Sequence, residues 1–225
     1  MRYVHFPIAL CLVLGLAVSP ALMAQEAHPT PATAWQRLKD GNARFSADTP
    51  AAKEVGKKRR AELAQGQRPF AVVLSCADSR VVPELLFDQG LGDLFVVRVA
   101  GNIVEQGVVG SVDYAAGHLH VPLVVVLGHE GCGAVQAAVD GKPLPGHLGW
   151  LVKQVYTGNN LPTEKSVALA TGVRANVVHQ ATALIRHSPE LKELVAANRA
   201  RVVAGIYSLT TGKVTWLEFP ETKVP

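Results

Sequence analysis

The sequence has few cysteines and few aromatic residues, and it contains no low-complexity tract and no internal repeat. Its 225 residues include 3 cysteines, and aromatic residues make up 6% of the chain. Charged residues of both signs are mixed, with a formal net charge of +4. These absences exclude repeat and low-complexity architectures and indicate an ordinary globular protein, long enough for one domain with a substantial core.

The sequence also lacks the pattern of a nucleic-acid-binding surface, although its isoelectric point is mildly basic, near 9.1. Lysine and arginine are scattered except for one run at positions 57–60, and no aromatic residue is interleaved with that run. Such a run favours a solvated helix face, so no nucleic-acid partner is predicted.

The N-terminus differs from the rest of the chain. Arg2 precedes an apolar segment that ends near Ala24 and is followed at once by polar residues. This layout predicts a signal peptide over 1–24, cleaved after Ala24 or Ala21, and a periplasmic or secreted protein with no membrane contact after cleavage. A retained N-terminal anchor is the alternative. Cys11 is not preceded by the small residue of a lipoprotein signal, so no lipoprotein is predicted. Removal of the leader leaves two cysteines, Cys76 and Cys132, and an oxidising compartment favours a disulfide between them.

The remainder predicts an α/β fold with a linker and N-terminal helical arm over 25–64 and a catalytic domain over 65–225. Helical patterns cover 34–47 and 51–65, and they precede four valine-rich runs at 70–76, 93–101, 121–129 and 201–209. The first three runs are continuously apolar, as strands buried in a parallel sheet must be, and helical patterns separate them. One helix, a proline-containing loop and two further helices follow Cys132, and the end of the chain predicts an antiparallel edge strand joined by a turn at Gly212. We therefore expect a mostly parallel central sheet flanked by helices.

Two short motifs follow the predicted strands. Cys76 ends the first run, and His129 with Cys132 ends the third in the glycine-rich sequence GHEGCG. If these strands are neighbours, the three side chains share one crevice, because ligands gather at the carboxyl ends of parallel strands. Two thiolates and an imidazole suit zinc, and three protein ligands leave a fourth position for water. The glycines would let the backbone bend around the ion, whereas the phosphate-loop patterns are absent.

Asp78 and Arg80 complete the first motif, C-A-D-S-R. The carboxylate of Asp78 can bind the ion itself, or it can accept a hydrogen bond from metal-bound water while Arg80 keeps it ionised. A surface ion pair is the plainer alternative. A cysteine phosphatase is disfavoured because its motif has five residues between Cys and Arg, whereas this one has three.

From about Trp35 to the C-terminus, these paired motifs resemble the β-class carbonic anhydrases, in an exported form. The resemblance implies one Zn²⁺ per subunit on Cys76, His129 and Cys132, and a catalytic dyad of Asp78 and Arg80. It implies reversible hydration of CO₂ to bicarbonate and a proton by attack of zinc-bound hydroxide. It also implies a homodimer or tetramer with the active site at a subunit interface.

The resemblance further implies that Gln67, Phe95 and Tyr114 bind substrate. No tryptophan stands just before Cys76, unlike in the bicarbonate-regulated subset of the family, so we expect Asp78 to pair with Arg80 and to be a metal ligand only conditionally. Two other hypotheses remain at this point. One is a hydrolase of carbonyl sulfide or carbon disulfide on the same scaffold, and the other is a non-enzymatic binding protein with a Cys76–Cys132 disulfide.

Overall fold

The computed structural model describes residues 28–219, which form a five-stranded sheet flanked by helices. The strand order is β2-β1-β3-β4-β5, with parallel pairing throughout except between β4 and β5. This confirms the predicted mostly parallel sheet with an antiparallel C-terminal strand. The strands are β1 Ala71–Ser75, β2 Leu94–Arg98, β3 Leu123–His129, β4 Arg201–Tyr207 and β5 Val214–Leu217. The helices are α1 Pro31–Ser46, α2 Lys57–Leu63, α3 Pro83–Leu86, α4 Gln106–Asp113, α5 Gly133–Asp140, α6 Gly146–Lys153, α7 Lys165–His187 and α8 Pro189–Ala196.

The sheet has a separate apolar core on each face. Alternate residues of β3 point to opposite sides: Val124 and Val126 join one buried cluster, and Val125 and Leu127 join the other. Helices α4, α7 and α8 pack on the first face, whereas α1 and α3 pack on the second. All seven residues of β3 are buried, which explains why the strand is uniformly apolar instead of alternating.

The first helix of the predicted arm is packed into the second core. Ala34 and Leu38 of α1 are fully buried there. Asn42 of α1 donates to the Leu86 carbonyl at 3.0 Å and accepts from the Val214 amide at 2.9 Å. Helix α1 is therefore part of the same folded body as the sheet.

The chain between α1 and α2 is held by a buried carboxylate. Asp88 follows α3, and its side chain is 4% exposed. Its two oxygens lie 2.5 Å from the Arg44 guanidinium and 2.5 Å from the Lys53 ammonium, and the Ala51 amide donates to it at 3.1 Å. Since this segment is fixed in a non-helical conformation, the helix expected over 51–65 is shorter, and α2 buries no residue.

The structure differs from the sequence expectation at two other places. The proline-containing segment after α5, expected to be a loop, contains α6, which begins directly after Pro145. Proline is tolerated at a helix start, so the prolines delimit this helix instead of excluding it. The helical pattern predicted between the second and third apolar runs forms α4, which ends at Asp113 and continues as a π-helical turn from Tyr114 to His118.

Among residues 28–219, no helix combines the length and the hydropathy needed to span a bilayer. The predicted signal peptide, 1–24, lies outside the described residues and stays a prediction.

Candidate metal centre

The two sequence motifs meet because β1 and β3 are hydrogen-bonded neighbours. Ser75 at the end of β1 pairs with Leu127 of β3, so Cys76 and His129 leave the sheet at the same edge. Cys132 follows three residues after His129 and directly precedes α5. The carboxyl ends of two parallel strands thus bring the three side chains together, as their positions predict.

The turn between His129 and Cys132 needs a glycine at one position. Gly131 has φ +63°, a conformation that side chains with a Cβ rarely adopt. Gly128 has a different role: a Cβ there would lie 2.2 Å from Cγ2 of Val177, so its absence lets α7 pack directly on β3. Gly133 has open space and no left-handed backbone, so only one of the three glycines acts in the way the sequence suggested.

The ligand atoms of Cys76, His129 and Cys132 all lie within 4.8 Å of one another. The three residues are almost fully buried, at 4%, 0% and 1% exposure. Nδ1 of His129 faces the Glu130 carbonyl oxygen at 2.9 Å. A carbonyl only accepts, so Nδ1 carries the proton and Nε2 has a free lone pair.

That Nε2 atom has no hydrogen-bond partner although it is buried. A buried polar atom without a partner costs about 1–3 kcal/mol, so such atoms are uncommon unless something binds them. Two cysteine sulfurs and one imidazole nitrogen are a donor set that zinc prefers. The residues present therefore fit a zinc ion, with the Nδ1 hydrogen bond orienting the ring.

Both cysteines are free thiols in the structure, not the predicted alternative of a disulfide. The contact between the two thiols lowers the pKa of Cys76 and raises the pKa of Cys132, while burial raises both. The Gly101 amide donates to the Cys76 sulfur at 3.3 Å, and the nearby backbone amides of Gly101 and Asp78 lower the pKa of Cys76 further. Cys76 is therefore prepared to act as a thiolate, the form in which cysteine binds metal.

Asp78 lies beside the cluster and is paired with Arg80. The guanidinium donates to the two carboxylate oxygens at 2.9 and 2.7 Å, and the Arg80 amide donates at 3.0 Å. The Arg80 hydrogen bonds hold the pKa of Asp78 well below its usual range. Oδ2 of Asp78 is 3.8 Å from Nε2 of His129, so an ionised carboxylate stands next to the unpartnered ligand atom.

Sequence reasoning missed Arg98, the last residue of β2. Its side chain donates to the Asp78 carbonyl at 2.7 Å and to the Cys76 carbonyl at 3.3 Å. Arg98 therefore ties the C-A-D segment to the neighbouring strand. A charged residue that closes an apolar strand at the carboxyl edge is the signal that could have identified it.

The three predicted substrate residues lie away from this cluster within one subunit. Phe95 pairs with Val72 near the start of β1, and its ring is 6.2 Å from that of Tyr114. Since Val72 is four residues before Cys76, Phe95 lies about 13 Å along the strand from the cluster, at roughly 3.3 Å per residue. Gln67 is exposed ahead of the amino end of β1.

Comparison with known proteins places this chain and its fold in one family. Residues 71–214 match the carbonic anhydrase family. A carbonic anhydrase of Mycolicibacterium smegmatis is 42% identical over 192 residues, covering 83% of this chain and 93% of the relative. A Coccomyxa β-carbonic anhydrase solved with acetazolamide superposes with a TM-score of 0.63 at 27% identity, covering 70% of this chain and 75% of that one. A tetrameric β-carbonic anhydrase of Sordaria macrospora shares the fold with a TM-score of 0.62 at 23% identity, covering 83% of this chain and 97% of that one.

Proposed function

The chain belongs to the β-class carbonic anhydrase family, and from this premise we propose that it catalyses zinc-dependent, reversible hydration of carbon dioxide to bicarbonate and a proton. The observation that carries the proposal is the buried cluster of Cys76, His129 and Cys132 with its unpartnered Nε2 atom. Family membership supplies the reaction, and the cluster supplies a place for it in this chain.

Cys76, His129 and Cys132 would hold one zinc ion per subunit through their two sulfurs and Nε2. When bound in such a site, zinc lowers the pKa of water towards about 7, which makes a nucleophile available at neutral pH. Buried apolar side chains surround the two cysteines, among them Ile103, Val135 and Val173. This wall excludes bulk water from the sulfurs and strengthens electrostatic interactions at the site.

Asp78 would orient the attacking water and hold its proton by accepting a hydrogen bond. Arg80 supports this role because it keeps the carboxylate ionised and fixes its plane with two hydrogen bonds. To become a fourth metal ligand, Asp78 would have to give up those bonds. The paired arrangement therefore favours the water-activating role over the conditional ligand role.

Gln67, Phe95 and Tyr114 would bind substrate in the active site of a second subunit. Two observations support a homodimer formed along β2. This strand is the parallel edge of the sheet and is only half-buried, and Tyr114 beside it is 46% exposed. A further pairing into tetramers is consistent with the tetrameric relative from Sordaria macrospora.

We also propose that the protein is exported after removal of residues 1–24. The support is the sequence alone: a positively charged start, an apolar segment and a small residue at the cleavage position. N-terminal sequencing of protein secreted from the native host tests this. A mature chain that starts at Gln25 or Leu22 supports it, and an intact Met1 would exclude cleavage.

Zinc analysis paired with stopped-flow CO₂ hydration tests the activity. Purified protein should carry stoichiometric zinc and hydrate CO₂, and His129→Ala should lose both because a ligand atom is removed. His147→Ala is the matched control, since His147 is exposed on α6 and should keep both properties. Full activity in the zinc-free protein, or in His129→Ala, would overturn the proposal.

A further inference from the structure

The sulfur of Cys76 receives a hydrogen bond from a turn that belongs to neither metal-binding motif. The Gly101 amide donates to Sγ of Cys76 at 3.3 Å from the 3₁₀ turn Ala100–Asn102, which follows β2. Gly101 has φ +71°, and a Cβ there would lie 3.1 Å from Val155 and 3.2 Å from Ala134. The turn therefore aims its N–H group at the sulfur in a closely packed, left-handed conformation that glycine adopts readily and a residue with a Cβ would not.

A buried asparagine on α7 holds that turn in place. Asn176 is fully buried, and its Nδ2 donates to the Gly101 carbonyl at 2.8 Å. Its Oδ1 accepts from the Tyr156 amide at 3.1 Å. Because a backbone carbonyl needs a donor and a backbone amide needs an acceptor, these two partners fix the orientation of the side-chain amide.

Gln180, one helical turn further along α7, supports the same arrangement. Its Nε2 donates to Oδ1 of Asn176 at 3.0 Å and to the Gln154 carbonyl at 2.9 Å. Its Oε1 accepts from the Val104 amide at 2.7 Å. The two amides therefore join α7, the 100–104 segment and the 154–156 segment into one satisfied polar network inside an apolar core, an arrangement that fixes geometry.

We propose that Asn176 is a positioning residue for the metal site, which acts through Gly101 on the sulfur of Cys76. An N–H group that donates to a thiolate stabilises its negative charge and fixes its direction, so it sets how strongly the sulfur binds an ion. The hydrogen bonds of Asn176 go to Gly101, Tyr156 and Gln180 and not to Cys76 or Asp78, so its influence passes through the Gly101 backbone. The inference rests on the proposed zinc site.

A second buried asparagine provides the control. Asn42 of α1 is 7% exposed, and it also donates to backbone carbonyls, those of Leu86 and Gly212, and accepts from a backbone amide, that of Val214. It lies on the opposite face of the sheet from α7. Asn→Asp at either position keeps the size of the side chain and the accepting oxygen but removes the donating NH₂ group.

The test compares full-length wild type, Asn176→Asp and Asn42→Asp. Zinc affinity is measured by competition with a chromophoric chelator, and an NMR-active cadmium isotope in place of zinc reports coupling between the metal and the Gly101 amide proton. We expect about tenfold weaker zinc binding in Asn176→Asp, the lower end of the effect of outer hydrogen-bond partners, and loss of the coupling. Asn42→Asp should lower the unfolding midpoint about as much as Asn176→Asp does. It should keep the coupling between the metal and the Gly101 amide proton, and its zinc affinity should stay within twofold of wild type.

Equal zinc affinity and unchanged coupling in Asn176→Asp and Asn42→Asp would overturn the inference and leave the zinc site intact. A wild-type protein that binds neither zinc nor cadmium would overturn the proposed function and this inference with it. If Asn176→Asp is too unstable to purify, Asn176→Ser replaces it, because its short neutral side chain cannot reach the Gly101 carbonyl. Weakened zinc binding in that variant supports the role, and wild-type binding contradicts it.

Discussion

Two aspartates ten residues apart in the sequence both form ion pairs with arginine, yet their surroundings differ. Asp78 pairs with a neighbour two residues away, and its partner Arg80 has a side chain that is 57% exposed. The side chain of Asp88 is 4% exposed and pairs with Arg44 and Lys53, which are distant in sequence. A pair between near neighbours with an exposed arginine contributes little to stability, whereas a buried pair between distant residues joins separate parts of the chain. We therefore expect replacement of the first aspartate to affect the proposed reaction and replacement of the second to affect the stability of the fold.

The largest expected effect that tests this contrast is a loss of CO₂ hydration when Asp78 loses its partner Arg80. Arg80→Ala should lower kcat/KM for CO₂ hydration by about 100-fold, the upper end for loss of an outer hydrogen-bond partner, because the carboxylate loses the two bonds that orient it. Arg80→Lys should recover part of the activity, since lysine restores the charge but not the planar fork. Stopped-flow assays at matched zinc content measure this. Activity equal to wild type in Arg80→Ala would place Asp78 outside the reaction.

The next effect is on stability at Asp88. Asp88→Asn should lower the free energy of unfolding by about 2 kcal/mol, between the values for exposed and buried pairs, because Lys53 and Arg44 keep partial access to water. Activity per bound zinc should not change, since Asp88 packs with α1 and not with the metal cluster. Urea unfolding of the zinc-loaded proteins gives the energy. A loss of activity per zinc would show that the two aspartates are coupled.

A smaller effect is expected on the pH dependence of that stability. Burial opposes ionisation of Asp88, but the hydrogen bonds from Lys53 and Arg44 outweigh it, so the net effect lowers its pKa. A carboxyl with a lower pKa in the folded state stabilises the fold above its unfolded pKa of about 3.9, and this contribution is lost as the pH falls further. The difference in unfolding midpoint between wild type and Asp88→Asn should therefore be constant near neutrality and narrow below about pH 4. A difference that widens on acidification would contradict this sign.

The smallest expected effect is the change in stability when Asp78 is replaced. Asp78→Asn weakens an ion pair whose arginine side chain is 57% exposed, so the free energy of unfolding of the zinc-free protein should fall by about 0–1 kcal/mol, less than in Asp88→Asn. CO₂ hydration by the zinc-loaded variant should fall strongly in the same preparation. A fall in urea unfolding as large as that in Asp88→Asn would mean that Asp78 also has an architectural role.

The same contrast explains what could be predicted from the sequence. Asp78 and Arg80 were recognisable because both partners lie in one short motif, and the valine runs predicted β1 and β3 because buried parallel strands are continuously apolar. The contacts of Asp88 were not predictable, since its partners Arg44 and Lys53 come close only in the folded chain. The shortened α2 follows from these contacts, because tertiary anchoring of the preceding segment overrides helix propensity.

Long-range polar contacts also account for the residues that were missed at the metal site. Asn176 and Gln180 lie four residues apart on a helix whose buried positions are otherwise mostly apolar, and nothing local shows which loops they reach. Arg98 likewise acts on carbonyl groups that come from a different strand. The side chains proposed to bind zinc could be inferred from the sequence because they lie in two compact motifs, but the framework that fixes them could not.

Because α2 buries no residue, the fold should tolerate a break of the chain within this helix. Its basic run at 57–60 is a natural target for a trypsin-like protease, and no side chain of this helix contributes to either core. A cut there would leave α1 attached, because Leu38 remains in the core and Asp88 still binds Arg44 and Lys53 on the N-terminal fragment. The two fragments should stay together as a nicked but intact body, separable on a denaturing gel and inseparable by gel filtration.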